Sequence, residues 1–111
     1  MGYTNYWYQS TDIPDDKWKL IKKEYNDYIK PVAGKLIDDS SSEDNIVFDG
    51  SCETFFFTQK ATKESERSYP EQDITLHFCK TRGAKYDLAV WYLLVSINKI
   101  CPEIDISRDV L

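Results

Sequence analysis

The side chains able to carry chemistry are few and scattered. The one histidine, His77, stands two residues before Cys79. On a strand both would project from the same face, about 7 Å apart by strand rise, too far for the direct hydrogen bond of a thiolate–imidazole pair. Cys52 and Cys101 have no neighbouring ligand type. A structural zinc site needs about four Cys or His ligands at close spacing, and His77-x-Cys79 is the only close pair. Asp49, Glu53 and Asp87 lie near Lys80 and Arg82 around the expected strand ends, where such charges form solvated pairs more often than catalytic sets. No phosphate loop, metalloprotease helix or nucleophile elbow is present. No catalytic residue, metal ligand or cofactor is therefore assigned.

The elements that must position these groups follow from periodicity. Residues 3–9 are rich in Tyr, Thr and Trp and read as a strand, with Tyr3, Asn5 and Trp7 on one face and Thr4, Tyr6 and Tyr8 on the other. Thr11 to Asp16, with Pro14 and acidic residues, opens a helix. Its apolar stripe is Trp18, Ile21, Tyr25 and Tyr28, and Pro31 is expected to stop it. Residues 38–45 read as an exposed acidic loop. Residues 45–48 and 53–59 read as strand, separated by Asp49-Gly50-Ser51, which forms either a hairpin turn or a bulge. Residues 60–73 read as a long exposed loop and 74–81 as an alternating strand. In that strand Ile74, Leu76 and Phe78 are expected to pack on the helices, leaving Thr75, His77, Cys79 and Thr81 outward. Residues 86–97 are apolar nearly all round, as in a helix buried against a sheet. Residues 104–107 form a short strand, and 108–111 a tail.

The chain has 111 residues, which bounds it to one domain, 1–111. Its 41% hydrophobic and 30% charged composition lies within the globular range. A formal net charge of −5 argues against a surface devoted to phosphates. There is no apolar run of membrane-spanning length and no basic n-region or apolar h-region of a secretory signal, so a soluble, unexported protein is expected. The odd, widely spaced cysteines fit the same setting.

The order β-α-β-(β)-β-α-β predicts an α+β two-layer sandwich. It has one mainly antiparallel sheet of four or five strands with two helices on one face, ferredoxin-like if residues 45–59 form a single bent strand. The second sheet face is then open and carries aromatics among hydroxyls, with either Phe55 and Phe57 or Phe56 outward.

Four stretches carry a resemblance. They are Met1-Gly2-Tyr3-Thr4-Asn5-Tyr6-Trp7, then Phe48-Asp49-Gly50 with Glu53-Thr54-Phe55, then Phe78-Cys79-Lys80-Thr81 followed by Tyr86-Asp87-Leu88-Ala89-Val90, and finally Ile106-Ser107 with Asp109. The chain resembles a small family of tailed-bacteriophage and large-DNA-virus proteins that usually begin Met-Gly-Tyr-Thr-His-Tyr-Trp. That implies a viral or virus-derived origin, in host cytoplasm or virion. It also implies a shared site of Tyr3, Asn5, Tyr6, Glu53, Cys79, Lys80, Thr81, Tyr86 and Asp87 where the second helix begins and its N–H groups face an anion. Asn5 replaces the family's usual histidine, and an amide neither titrates nor binds metal well.

The leading expectation is a non-enzymatic viral protein, a minor virion component or accessory factor, that contacts a viral or host protein through its sheet face. Homo-oligomerisation is left open, and no membrane is expected. The alternative is a small-ligand binder or small enzyme with a pocket near Tyr3, Glu53, Lys80 and Asp87. Single-stranded nucleic-acid binding ranks below both, because the basic-aromatic footprint of such domains is missing.

Overall fold

The computed structural model describes residues 3–61 and 76–109. Strand β1 (Thr4–Tyr8) is the centre of a three-stranded sheet, antiparallel to β5 (Leu76–Lys80) on one side and to β6 (Asp105–Asp109) on the other. The second three-stranded sheet is antiparallel and runs β2 (Asp38–Asp39), β3 (Asn45–Asp49), β4 (Phe55–Thr58). The strands thus divide into two sheets where one of four or five strands was expected. The sheets touch where the Glu53 N–H donates to the Lys80 carbonyl at 3.3 Å.

Two helical elements lie on the inner side. Helix α1 (Asp15–Glu24) runs into a π-helical turn (Tyr25–Ile29) and then into α2 (Lys30–Ala33), followed by a 3₁₀ turn (Gly34–Leu36). Helix α3 (Asp87–Ile100) is the second. Aromatic packing joins the layers, with Trp18 stacked on Phe57 at 6.2 Å and Tyr25 on Phe48 at 5.7 Å. Trp7 meets Phe55 at 5.2 Å and Phe57 at 5.8 Å, so aromatic rings from both sheets share one core. Ile21, Val90, Leu93, Leu94 and Ile97 fill it from the helices.

Several expectations change. Pro31 does not end the helix, which continues through it to Ala33. A proline within an α-helix has no N–H to donate and its ring meets the carbonyl four residues earlier. Here that carbonyl belongs to Asp27, inside the wider π turn. The wide turn also moves the buried stripe from Tyr28 to Ile29, leaving Tyr28 exposed. In β5 the phase is opposite to expectation, with Cys79 buried and Phe78 exposed. Finally, Arg108 and Asp109 belong to β6 rather than to a tail, and Asp38 and Asp39 to β2 rather than to a loop.

Residues 45–59 form a hairpin, since β3 and β4 pair antiparallel across Gly50. The 60–73 loop, like Ile74 and Thr75, falls almost wholly outside the described residues. Among the described residues no helix is long and apolar enough to cross a membrane.

Candidate functional site

The start of α3 gathers three of the expected site residues. After β5 the chain turns through Arg82 at φ 56° and Gly83 at φ 72°. A β-carbon at Gly83 would lie 2.8 Å from the Tyr3 ring, so a left-handed conformation and a close approach both call for glycine there. The Thr81 N–H donates to the Tyr3 carbonyl at 2.9 Å and the Ala84 N–H to the Thr81 carbonyl at 3.0 Å, which ties the turn to β1.

This turn delivers Asp87 into the core beneath β1. Asn5 Nδ2 donates to Asp87 Oδ1 at 2.9 Å, and the Thr81 hydroxyl donates to the same oxygen. Arg108, which lies opposite Asn5 in the β1–β6 register, donates from Nη2 to Asp87 Oδ2 and forms an ion pair with it. The Arg108 guanidinium also lies 4.9 Å over the Trp91 ring. Asn5 and Thr81 are fully buried and Asp87 nearly so. Burial pushes the Asp87 carboxyl up, but the bonds from Thr81, Asn5 and Arg108 and the Arg108 charge outweigh it and hold it below the usual carboxylate value. Among the described residues, the buried Asn5 Oδ1 and Arg108 Nε find no hydrogen-bond partner.

A neighbouring set forms around Glu53. The Lys80 N–H donates to Glu53 Oε1 at 2.8 Å, and the Tyr86 hydroxyl donates to the Glu53 carbonyl at 2.7 Å. The Cys79 thiol lies 3.6 Å from that carbonyl. Gly50 presses against the face of Tyr86, where a β-carbon would sit 2.2 Å from the ring.

The other expected residues separate. Tyr6 points to the outer face, 6.5 Å from Phe78, and the Lys80 ammonium lies over the Phe78 ring at 5.9 Å on that same side. The Lys80 ammonium is thus held on the outer side, away from the buried Asp87 carboxylate. The anion expected at the α3 N-terminus meets N–H groups already engaged: Asp87 donates to Ala84, and Ala89 and Val90 to Tyr86. Asp87 itself is the carboxylate at that positive end.

The chemistry open to this site is limited. Burial, then the charges of Glu53, Cys52 and Asp87, push the Cys79 thiol up to about 12, the opposite of an activated nucleophile. His77 stacks on Trp7 at 5.6 Å. Among the described residues no group of three or more His, Cys, Asp or Glu is placed to hold a metal ion.

Arg108 is the member that the sequence reading missed. Its signal was the inward phase of Ile106, which carries Arg108 inward two residues later. Compared with family models, curated proteins and solved structures, the chain matches none.

Proposed function

We propose that the protein acts by protein–protein contact through the outer face of its sheets, as a viral minor virion component or accessory factor. The observation that carries this reading is the uncovered aromatic surface. Phe78 is exposed by 54% beside Tyr6 on the face of the β5–β1–β6 sheet that Tyr8, exposed by 41%, shares, and Phe56 is exposed by 53% on the second sheet. Large apolar side chains clustered on an open face mark contact sites. The inner polar cluster offers no comparable opening, because its carboxylate is consumed by internal partners. The viral assignment is supported by the stretches quoted above, foremost residues 1–7.

A ferredoxin-like order draws support from the chain sequence of elements and from β1 lying between β5 and β6, antiparallel to both, while the separate β2–β3–β4 sheet departs from it. The small-ligand reading draws support from a depression of about 530 Å³ that reaches Tyr86 and is lined in part by Lys35, Asp49, Ser51 and Lys85. Stacking of single-stranded nucleic acid would fall to Phe56 and Phe78, because Trp7 is buried.

A photo-crosslinking phenylalanine derivative at position 78 or 8, introduced during infection, tests the proposal. The expected result is a discrete adduct with another viral or host protein. No adduct from either position, or adducts only from the helix layer at position 92, would overturn it.

A further inference from the structure

A second apolar surface lies on the opposite side of the molecule. Helix α3 is apolar nearly all round, a pattern expected where every side of a helix is covered. The core takes Ala89, Val90, Leu93, Leu94 and Ile97, yet Leu88 and Tyr92 are each 67% exposed. Across from them Tyr28 is 63% and Val32 86% exposed, and Leu36 45%. These five side chains line one groove of about 470 Å³ between α2 and α3.

The groove has direction. Tyr28 lies beside Tyr92 and Ser96, while Leu36 lies beside Lys85 and Leu88, so its two walls run antiparallel. Among the described residues, the charged ones lining it are Asp27 and Lys85. Beyond the Tyr28 end the lining adds Glu24. Beyond the Lys85 end the adjoining depression adds Lys35 together with Asp38 and Asp49.

We propose that this groove is a homodimer interface in which a second copy packs the same face against it about a two-fold axis. A two-fold contact is isologous, so one patch must complement itself. With the axis perpendicular to the groove, the acidic end of one copy meets the basic end of the other. Asp27 then faces Lys85 of the second copy, twice per dimer, and Glu24 approaches Lys35. Between these charged ends Tyr28, Val32, Leu88 and Tyr92 interleave with their counterparts. A standard interface removes about 800 Å² per partner from water, and one large aromatic alone supplies roughly 150–250 Å². The exposed parts of two tyrosines, two leucines and a valine supply the apolar centre of such a contact, with the charged ends as its rim. The dimer leaves the aromatic sheet face free on both outer sides, so this inference stands apart from the proposed function.

Sedimentation equilibrium of the full chain, from roughly 1 µM to 1 mM, tests it. Dimerisation within that range is expected. Tyr92→Lys or Val32→Lys, at exposed positions, should weaken it at least about thirtyfold with thermal unfolding unchanged. Asp27→Lys or Lys85→Asp should each weaken it about five- to tenfold, because each reversal sets like charges together twice. The double reversal Asp27→Lys/Lys85→Asp should return to within about twofold of the original, since the pairs re-form with signs exchanged. A monomer at every concentration overturns the proposal. So does a dimer indifferent to the helix-face variants, one weakened only by Phe78→Lys, or a double reversal whose losses add.

Discussion

Asp87 and Asp39 are built alike and placed differently. Each carboxylate accepts a hydroxyl from a residue nearby in the chain, Thr81 for Asp87 and Ser41 for Asp39. Each takes a second neutral donor from another element, Asn5 or the Tyr25 hydroxyl at 2.6 Å. Each then takes a cation, Arg108 or, at 3.3 Å, Lys30. Asp87 fastens the β5–β1–β6 sheet to α3, and Asp39 fastens the β2–β3–β4 sheet to the π turn. The side chain of Asp87 is 7% exposed and that of Asp39 23%, while Lys30 stands 45% exposed. The same donor arrangement therefore works under different screening, and burial decides how much its loss costs. For Asp39, as for Asp87, burial raises the carboxyl but the donors and the cation prevail and lower it. Beside Asp39, burial and then the carboxylate raise the Tyr25 hydroxyl well above its ordinary value.

The contrast is sharpest on truncation. Asp87→Ala leaves the largely buried Arg108, its side chain 23% exposed, without its counter-charge and should cost about 3 kcal/mol in chemical denaturation, with the m-value unchanged. Asp39→Ala should cost about 1–3 kcal/mol, chiefly from an unsatisfied Tyr25 hydroxyl. Equal losses at the two sites would break the comparison. Next comes acid. Both carboxyls titrate below their unfolded value of about 3.9, so the unfolded chain binds more protons across that interval. Their stabilisation is complete above it and is lost as pH falls through the folded values. The stability difference between the wild type and Asp87→Asn should therefore shrink progressively below about pH 4, and a constant difference would contradict the assignment.

Smaller effects test the outer partners. Tyr25→Phe removes one hydrogen bond and should lower stability by about 1 kcal/mol, measured at neutral pH where the hydroxyl is protonated. Lys30→Ala should cost less than about 1 kcal/mol and nothing measurable at high salt, because an exposed pair is screened. A salt-insensitive loss at Lys30 would mean that this pair is shielded as the Arg108 pair is.

Local pattern foretold β1 and α3 well. The Tyr and Trp alternation placed Asn5 and Trp7 on one face and Tyr6 and Tyr8 on the other, as the structure has them. It placed α3 because little but a buried helix suits so apolar a run. Alternation in β5 defined two faces without saying which is covered. The apolar choice failed there because Leu76 and Phe78 contribute to an outer apolar surface rather than to the core. The resemblance grouped Asn5, Thr81 and Asp87 as pocket-lining residues, whereas the structure bonds them to one another, and their closure by Arg108 depended on bringing β6 beside β1, 21 residues after Asp87. The Tyr25–Asp39 bond escaped notice because the acidic run at 38–45 looks like solvated loop until Asp38 and Asp39 pair with β3.

The π turn bears on how far this chain can change length. The buried residues Trp18, Ile21, Tyr25, Ile29 and Ala33 are spaced three, four, four and four apart. That drift is tolerated because the wide turn holds one residue more than an α-helix would. Removing one residue between 25 and 29 restores a three-four-three-four rhythm and keeps every inward residue inward. It also places the proline within a regular α-helix, where it costs about 3 kcal/mol or more. Length here and residue type at Pro31 are thus coupled, and a descendant one residue shorter in this turn must also replace its proline.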